Sequence, residues 1–95
     1  IRAYNLSPNS PSIIDSLGWV LFKLGRAQEA LTYLEQAYNM VSDPEIAAHL
    51  GEVYWVLGNS EQALELWSKT LKQHPNHQEI MQTMLRLGAS ASIAL

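Results

Sequence analysis

A three-residue string, each time followed by a large apolar residue, occurs twice, and its spacing constrains the fold more than any other feature. "AYNL" occupies positions 3–6 and "AYNM" positions 37–40, so the two alanines stand 34 residues apart. Self-similarity at a period of a few tens of residues is the mark of solenoids, propellers and arrays. Independent matches carry the same period to within a residue, at an offset of 33. Leu17-Gly18 meets Leu50-Gly51, and Leu24-Gly25 meets Leu57-Gly58. "QEAL" at 28–31 meets "EQAL" at 61–64, Ser10-Pro11 meets Asp43-Pro44, and Pro8 aligns two periods on with Pro75.

Each period reads as two helices. In "PSIIDSLGWVLFKL" the apolar Ile14, Leu17, Leu21 and Leu24 fall at helical spacing. Ser10 is placed to cap this helix, with Pro11 at the first helical position, where a missing N–H is harmless. Asp43-Pro44 repeats the start signal and adds a negative charge at the positive end of a helix. Gly25 and Gly58 suit the left-handed turn that closes a helix. The second helices are "AQEALTYLEQAYNM" and "SEQALELWSKTLKQ". Asn76 followed by Glu79 predicts a capping box for a last helix over about 77–87. No stretch alternates as a strand does. The fold class is therefore all-α: about five helices plus a partial one at the N-terminus.

One such hairpin cannot bury its own apolar stripe, whereas stacking on a neighbour does so. Gly18 and Gly51 on the first helices, and Ala30 and Ala63 on the second, then mark close helix approach. Larger side chains there are expected to overpack, at about 1–3 kcal/mol. The units divide as 1–10 (tail of a preceding unit), 11–43, 44–77, a closing helix 78–88 and a loose tail 89–95. The chain opens on Ile1 and enters midway through a unit. It is expected to be the end of a longer solenoid, with any signal peptide or lipid anchor further upstream.

Composition removes several function classes. The 95 residues carry a net charge of −3 with Lys and Arg scattered, which argues against nucleic acid and against an anionic lipid surface. There is no cysteine, so disulfides and thiolate zinc sites are excluded. No apolar run of about 18 residues spans a bilayer. At 47% apolar residues, the chain has enough to build a stacked helical core.

The residues resemble the tetratricopeptide repeat, whose pattern is W-x2-L-G-x2-Y…A-x3-F…P over 34 residues. The first full unit reads Ile14-x2-Leu17-Gly18-x2-Leu21, then Ala30-x3-Leu34. The second reads Ala47-x2-Leu50-Gly51-x2-Tyr54, then Ala63-x3-Trp67 and Pro75. Unit 1 departs at its end, with Ser42 where proline is usual, and is one residue short. The likeness covers about 1–88. "DSLGWVLFKLGRAQEALTYLEQAY", "PEIAAHLGEVYWVLGNSEQALELW" and the terminal "RLG" also look like the C-terminal repeats of Gram-negative tetratricopeptide lipoproteins. That narrower resemblance implies a periplasmic or outer-membrane scaffold, with a protease or its substrates as partner.

The resemblance further implies that first helices line a concave groove. The groove positions are then Ser12, Asp15, Ser16, Trp19, Phe22 and Lys23 in unit 1. Unit 2 supplies Glu45, Ala48, His49, Glu52, Trp55 and Val56, and the last helix Gln82, Thr83 and Arg86. Trp19, Phe22 and Trp55 are aromatics off the core stripe, suited to anchoring a peptide or to packing on neighbouring repeats. Lys23, Glu52 and Arg86 would set register at the rim. Chaperone-binding members use a basic, Asn-containing clamp for a carboxylate terminus. Asp15, Trp19, His49 and Glu52 stand at the matching positions, so that chemistry is not expected.

Signals for catalysis are thin. His49 and Glu52 form an (i, i+3) pair that reads as a surface hydrogen bond before it reads as an acid–base couple. His74 and His77 flank Pro75, too few ligands for a metal and suited to a solvated turn. No catalytic triad, phosphate loop or HExxH occurs. "NLS" at 5–7 fits a glycosylation acceptor, a three-residue match with little weight. The expectation is a non-catalytic interaction scaffold without cofactor or metal, binding a protein or peptide partner in the groove. The alternative is a structural spacer or a homo-oligomerisation module.

Overall fold

The local start signals set the helices where the repeat predicts them. The computed structural model describes residues 10–89. Among these residues it holds five helices and no strand: α1 (Pro11–Lys23), α2 (Ala27–Met40), α3 (Pro44–Val56), α4 (Ser60–Gln73) and α5 (Gln78–Leu87). "AYNL", Pro8, the partial N-terminal helix and the "NLS" acceptor lie outside the described residues. "AYNM" closes α2, and its Ala37 is fully buried.

Ser10 caps α1, its Oγ accepting from the Ile13 N–H at 3.5 Å, and Asp43 caps α3, accepting from the Glu45 N–H at 2.8 Å. α5 begins differently from expectation. Its cap is His77, whose Nδ1 accepts from the Ile80 N–H at 3.4 Å. The Asn76–Glu79 capping box therefore does not form, because the helix starts one residue later. Glu79 is released for a contact across the repeats.

Gly25, Gly58 and Gly88 end α1, α3 and α5 with φ of 84°, 88° and 74°. The chain then closes each turn with the same bond, from Arg26 N–H to the Leu21 carbonyl, Asn59 to Tyr54 and Ala89 to Met84. This is the glycine-closed helix terminus that satisfies the last free carbonyls. The two-repeat match at Leu-Gly thus has a backbone cause, and α5 leaves its helix as the first helices do. Ala89 is buried against the core. The stretch expected as a loose tail is therefore anchored at its first residue.

The short turns fold α1 back on α2 and α3 back on α4, and α3 then packs on both α2 and α5. The core runs continuously along this stack. Ile14, Ala37 and Ile46 seal the outer end of the first junction. Ala30, Leu34, Leu50 and Val53 fill its middle, and Ala63, Trp67, Ile80 and Met84 fill the second unit. Each fully buried large side chain contributes roughly 1.5–3 kcal/mol.

The glycine–alanine prediction holds in both units. A Cβ on Gly18 would meet Leu34 Cγ at 2.9 Å, and one on Gly51 would run into the Trp67 indole. Ala30 and Ala63 are fully buried. Trp67 fills the space that Gly51 leaves, but its indole N–H is buried without a partner. An orphaned donor costs about 1–3 kcal/mol. The large ring area that the indole buries in the same place offsets it.

Candidate partner-binding face

The first helices α1, α3 and α5 form one layer, and two hydrogen-bonded pairs tie them together at the repeat distance. Asp15 Oδ1 lies 2.9 Å from His49 Nδ1. Arg86 donates twice to Glu52, Nη2 to Oε1 at 2.6 Å and Nη1 to Oε2 at 3.0 Å. Both pairs span 34 residues, so each joins like positions of successive units. Glu79 adds a third contact, its Oε2 lying 3.4 Å from His49 Nε2.

These contacts correct the expected His49–Glu52 pair. Neighbours three apart on one helix turn to residues of adjacent helices here and not to each other. His49 turns to α1 and α5, and Glu52 turns to α5. Glu52 is only 5% exposed, so it is a seam residue and not a rim charge. Ala48 and Thr83 are also buried and offer nothing to a ligand. Burial disfavours a charged His49, but the Asp15 hydrogen bond and the Asp15, Glu79 and Glu45 charges outweigh it. The net effect holds its pKa above the ordinary 6.5. The Arg86 guanidinium is likewise held up, first by its hydrogen bonds to Glu52.

The aromatics are half-buried and partly engaged. Trp19 stacks on the His49 ring at 4.0 Å and on Phe22 at 5.1 Å. Lys23 Nζ sits 4.9 Å from its ring centroid, within cation–π range. Trp55 tilts against Trp67 at 6.0 Å, joining the core from the side. Ser16 is exposed, with its hydroxyl donating to the Ser12 carbonyl at 3.0 Å. Gln82, Lys23, Arg86, Ser12, Glu45 and Val56 are exposed on the same three helices. The layer therefore presents half-covered rings among exposed polar groups, above a seam of internally paired charges.

Glu79 and the two pairs spanning 34 residues escaped the sequence reading. The available signal was opposite charge at one full period, Glu52 with Arg86 and Asp15 with His49. Among the described residues, no cluster of three or more His, Cys, Asp or Glu could hold a metal. No helix there is long and apolar enough to cross a membrane.

The tetratricopeptide repeat family model matches residues 1–84. This chain belongs to the tetratricopeptide repeat family. It is 44% identical over 52 residues to a TPR repeat-containing protein of Pseudomonas aeruginosa, covering 55% of this chain and 9% of that protein. A TPR repeat-containing protein of Methanocaldococcus jannaschii is 29% identical over 68 residues, 70% of this chain and 12% of its own length. An anaphase-promoting complex subunit of Saccharomyces cerevisiae is 27% identical over 88 residues, 84% of this chain and 10% of the subunit. The chain thus spans about a tenth of the length of these relatives. Among solved structures, a thermophilic TPR protein of Thermus thermophilus superposes with a TM-score of 0.78 at 27% identity, covering 94% of this chain and 44% of that one. Tetratricopeptide repeats typically mediate protein–protein interaction, and the repeat assignment and the all-helical fold stand together.

Proposed function

We propose that this segment is a non-catalytic interaction module that holds a partner polypeptide on the face formed by α1, α3 and α5. The observation that carries the reading is the half-exposed aromatic group, Trp19, Phe22 and Trp55, on helices tied to one another by the Asp15–His49 and Glu52–Arg86 pairs. A side chain half out of water on a rigid layer gains apolar contact on binding without ordering cost of its own. Trp is also enriched among the residues that dominate binding energy. Lys23 and the outer side of Arg86 give the face two cationic groups for orienting a segment.

The partner is a protein or peptide, with a protease or its substrates one form of it. The setting is a bacterial envelope scaffold in the periplasm or at the outer membrane. Both extend the sequence resemblance. Cell fractionation of the parent protein tests the setting: a cytosolic pool alone removes it. The groove reading is tested by pull-down with Trp19→Ala and Trp55→Ala. Partner recovery is expected to fall several-fold in at least one variant while far-UV circular dichroism stays unchanged. Full recovery in both variants would sink it.

A second reading is favoured by a separate observation. Val20, on α1, and Leu24, which caps its C-terminus, are 56% and 66% exposed, and Leu85, on α5, is 66% exposed. Exposed apolar side chains on the first and last described helices suit self-association or a spacer role between further repeats. Sedimentation decides it, since a monomer mass that does not change with concentration counts against self-association.

A further inference from the structure

The His49 ring is flanked by acceptors on both edges. Nδ1 faces Asp15 Oδ1 at 2.9 Å and Nε2 faces Glu79 Oε2 at 3.4 Å. Ionised carboxylates only accept hydrogen bonds, and a neutral imidazole carries only one N–H. A neutral ring can therefore satisfy one of them while turning a lone pair to the other. The doubly protonated ring donates to both.

We propose that Asp15, His49 and Glu79 form a proton-operated clasp, drawing three successive first helices together when His49 carries both ring protons. Asp15 belongs to α1, His49 to α3 and Glu79 to α5, so one proton couples three consecutive units. The packing around the ring fits this role. The His49 side chain is 18% exposed and Asp15 15%, whereas Glu79, at 43%, reaches in from a wetter edge. Trp19 covers a ring face at 4.0 Å, shielding the Asp15 bond from water. The charged groups around His49 are Asp15 from α1, Glu45 from its own helix and Glu79 from α5. Lys23 of α1 sits on the Trp19 ring, and Arg86 of α5 is already committed to Glu52. The charges that reach the ring are therefore acidic, which raises its affinity for the second proton despite burial.

The sign follows from linkage. A histidine whose folded pKa is raised adds stability that is complete below its unfolded pKa and is lost as pH rises through the folded value. The clasp is therefore closed near and below pH 6.5 and opens on the alkaline side, as pH rises through the folded value. It stands independently of any partner on the same face.

The test is an imidazole titration of the full chain by nitrogen-correlated NMR, with His49 assigned by its loss in His49→Gln. The expected midpoint lies above 6.5 and falls in Glu79→Gln, a partly exposed change that leaves the core intact. Thermal unfolding from about pH 6 to about pH 9 supplies the second readout. The wild type should lose stability relative to His49→Gln as pH rises. A midpoint at or below 6.5 overturns the proposal, as does one unmoved by Glu79→Gln.

Discussion

At the scale of single residues, the sequence motif and the packing meet most closely at Gly51. The missing Cβ leaves room for the Trp67 indole, and Trp67 is fully buried. Gly18 makes the same arrangement with Leu34, but there the nearest atoms belong to a flexible branched side chain. Gly51→Ala is therefore expected to cost about 1–3 kcal/mol, and Gly18→Ala less. Urea denaturation of the two variants checks the order, and an equal loss in both would contradict the ring-over-glycine account. The orphaned Trp67 N–H has a different lesson. It could not be read from residue types, because a tryptophan at this position is legible as large and apolar, while the direction of its N–H depends on what surrounds it.

At the scale of elements, two devices alternate. The first helices begin on side-chain caps, Ser10, Asp43 and His77, and end on a left-handed glycine. The second helices begin directly after that glycine turn, with no side-chain cap on α2 or α4. The turn within a unit is thus held by backbone geometry, and the turn between units by a side chain. Asp43→Ala is expected to destabilise by about 1 kcal/mol, the usual worth of a lost cap, with a lower thermal midpoint and little change in helicity at low temperature. Most of this was legible, since Pro at the first turn and Gly at the last are local requirements. The start of α5 was not. Asn76 and His77 both offer an acceptor, and the choice between them is made by how α5 must sit to bury Ile80 and Met84.

At the scale of the whole molecule, the stack is held by a core that crosses every junction and by polar pairs that recur at 34 residues. Glu52 is the sensitive member. Its carboxylate is nearly out of water, while the Arg86 side chain is 56% exposed. Arg86→Ala would leave a buried acceptor without its donors, which costs about 1–3 kcal/mol, reduced by whatever water reaches the vacated side. A double-mutant cycle with Glu52→Gln measures the coupling. Additive losses would mean that the pair does not bind the second unit to α5. The hydroxyl of Tyr54 donates to Glu35 at 2.7 Å, tying α3 to α2. Burial first, and that bond second, push the phenol pKa upward.

The sequence by itself determined the period, the helices, the small residues where helices approach, and the family. These depend on neighbours within a few positions or on the repetition of a local pattern, and such information is one-dimensional. Only the tertiary structure decided which side chains of the first helices stay exposed and which are taken up between units. His49 and Glu52 share a helix and look like partners on it, yet each pairs with neighbouring helices instead, His49 with Asp15 and Glu79 and Glu52 with Arg86. The physical reason is that side-chain polarity fixes a face, whereas pairing across a solenoid depends on the rise and rotation from one repeat to the next. That step is set by the core that crosses the junctions, Leu34 with Leu50 and Val53, and Trp67 with Ile80 and Met84, and it brings together residues one full period apart.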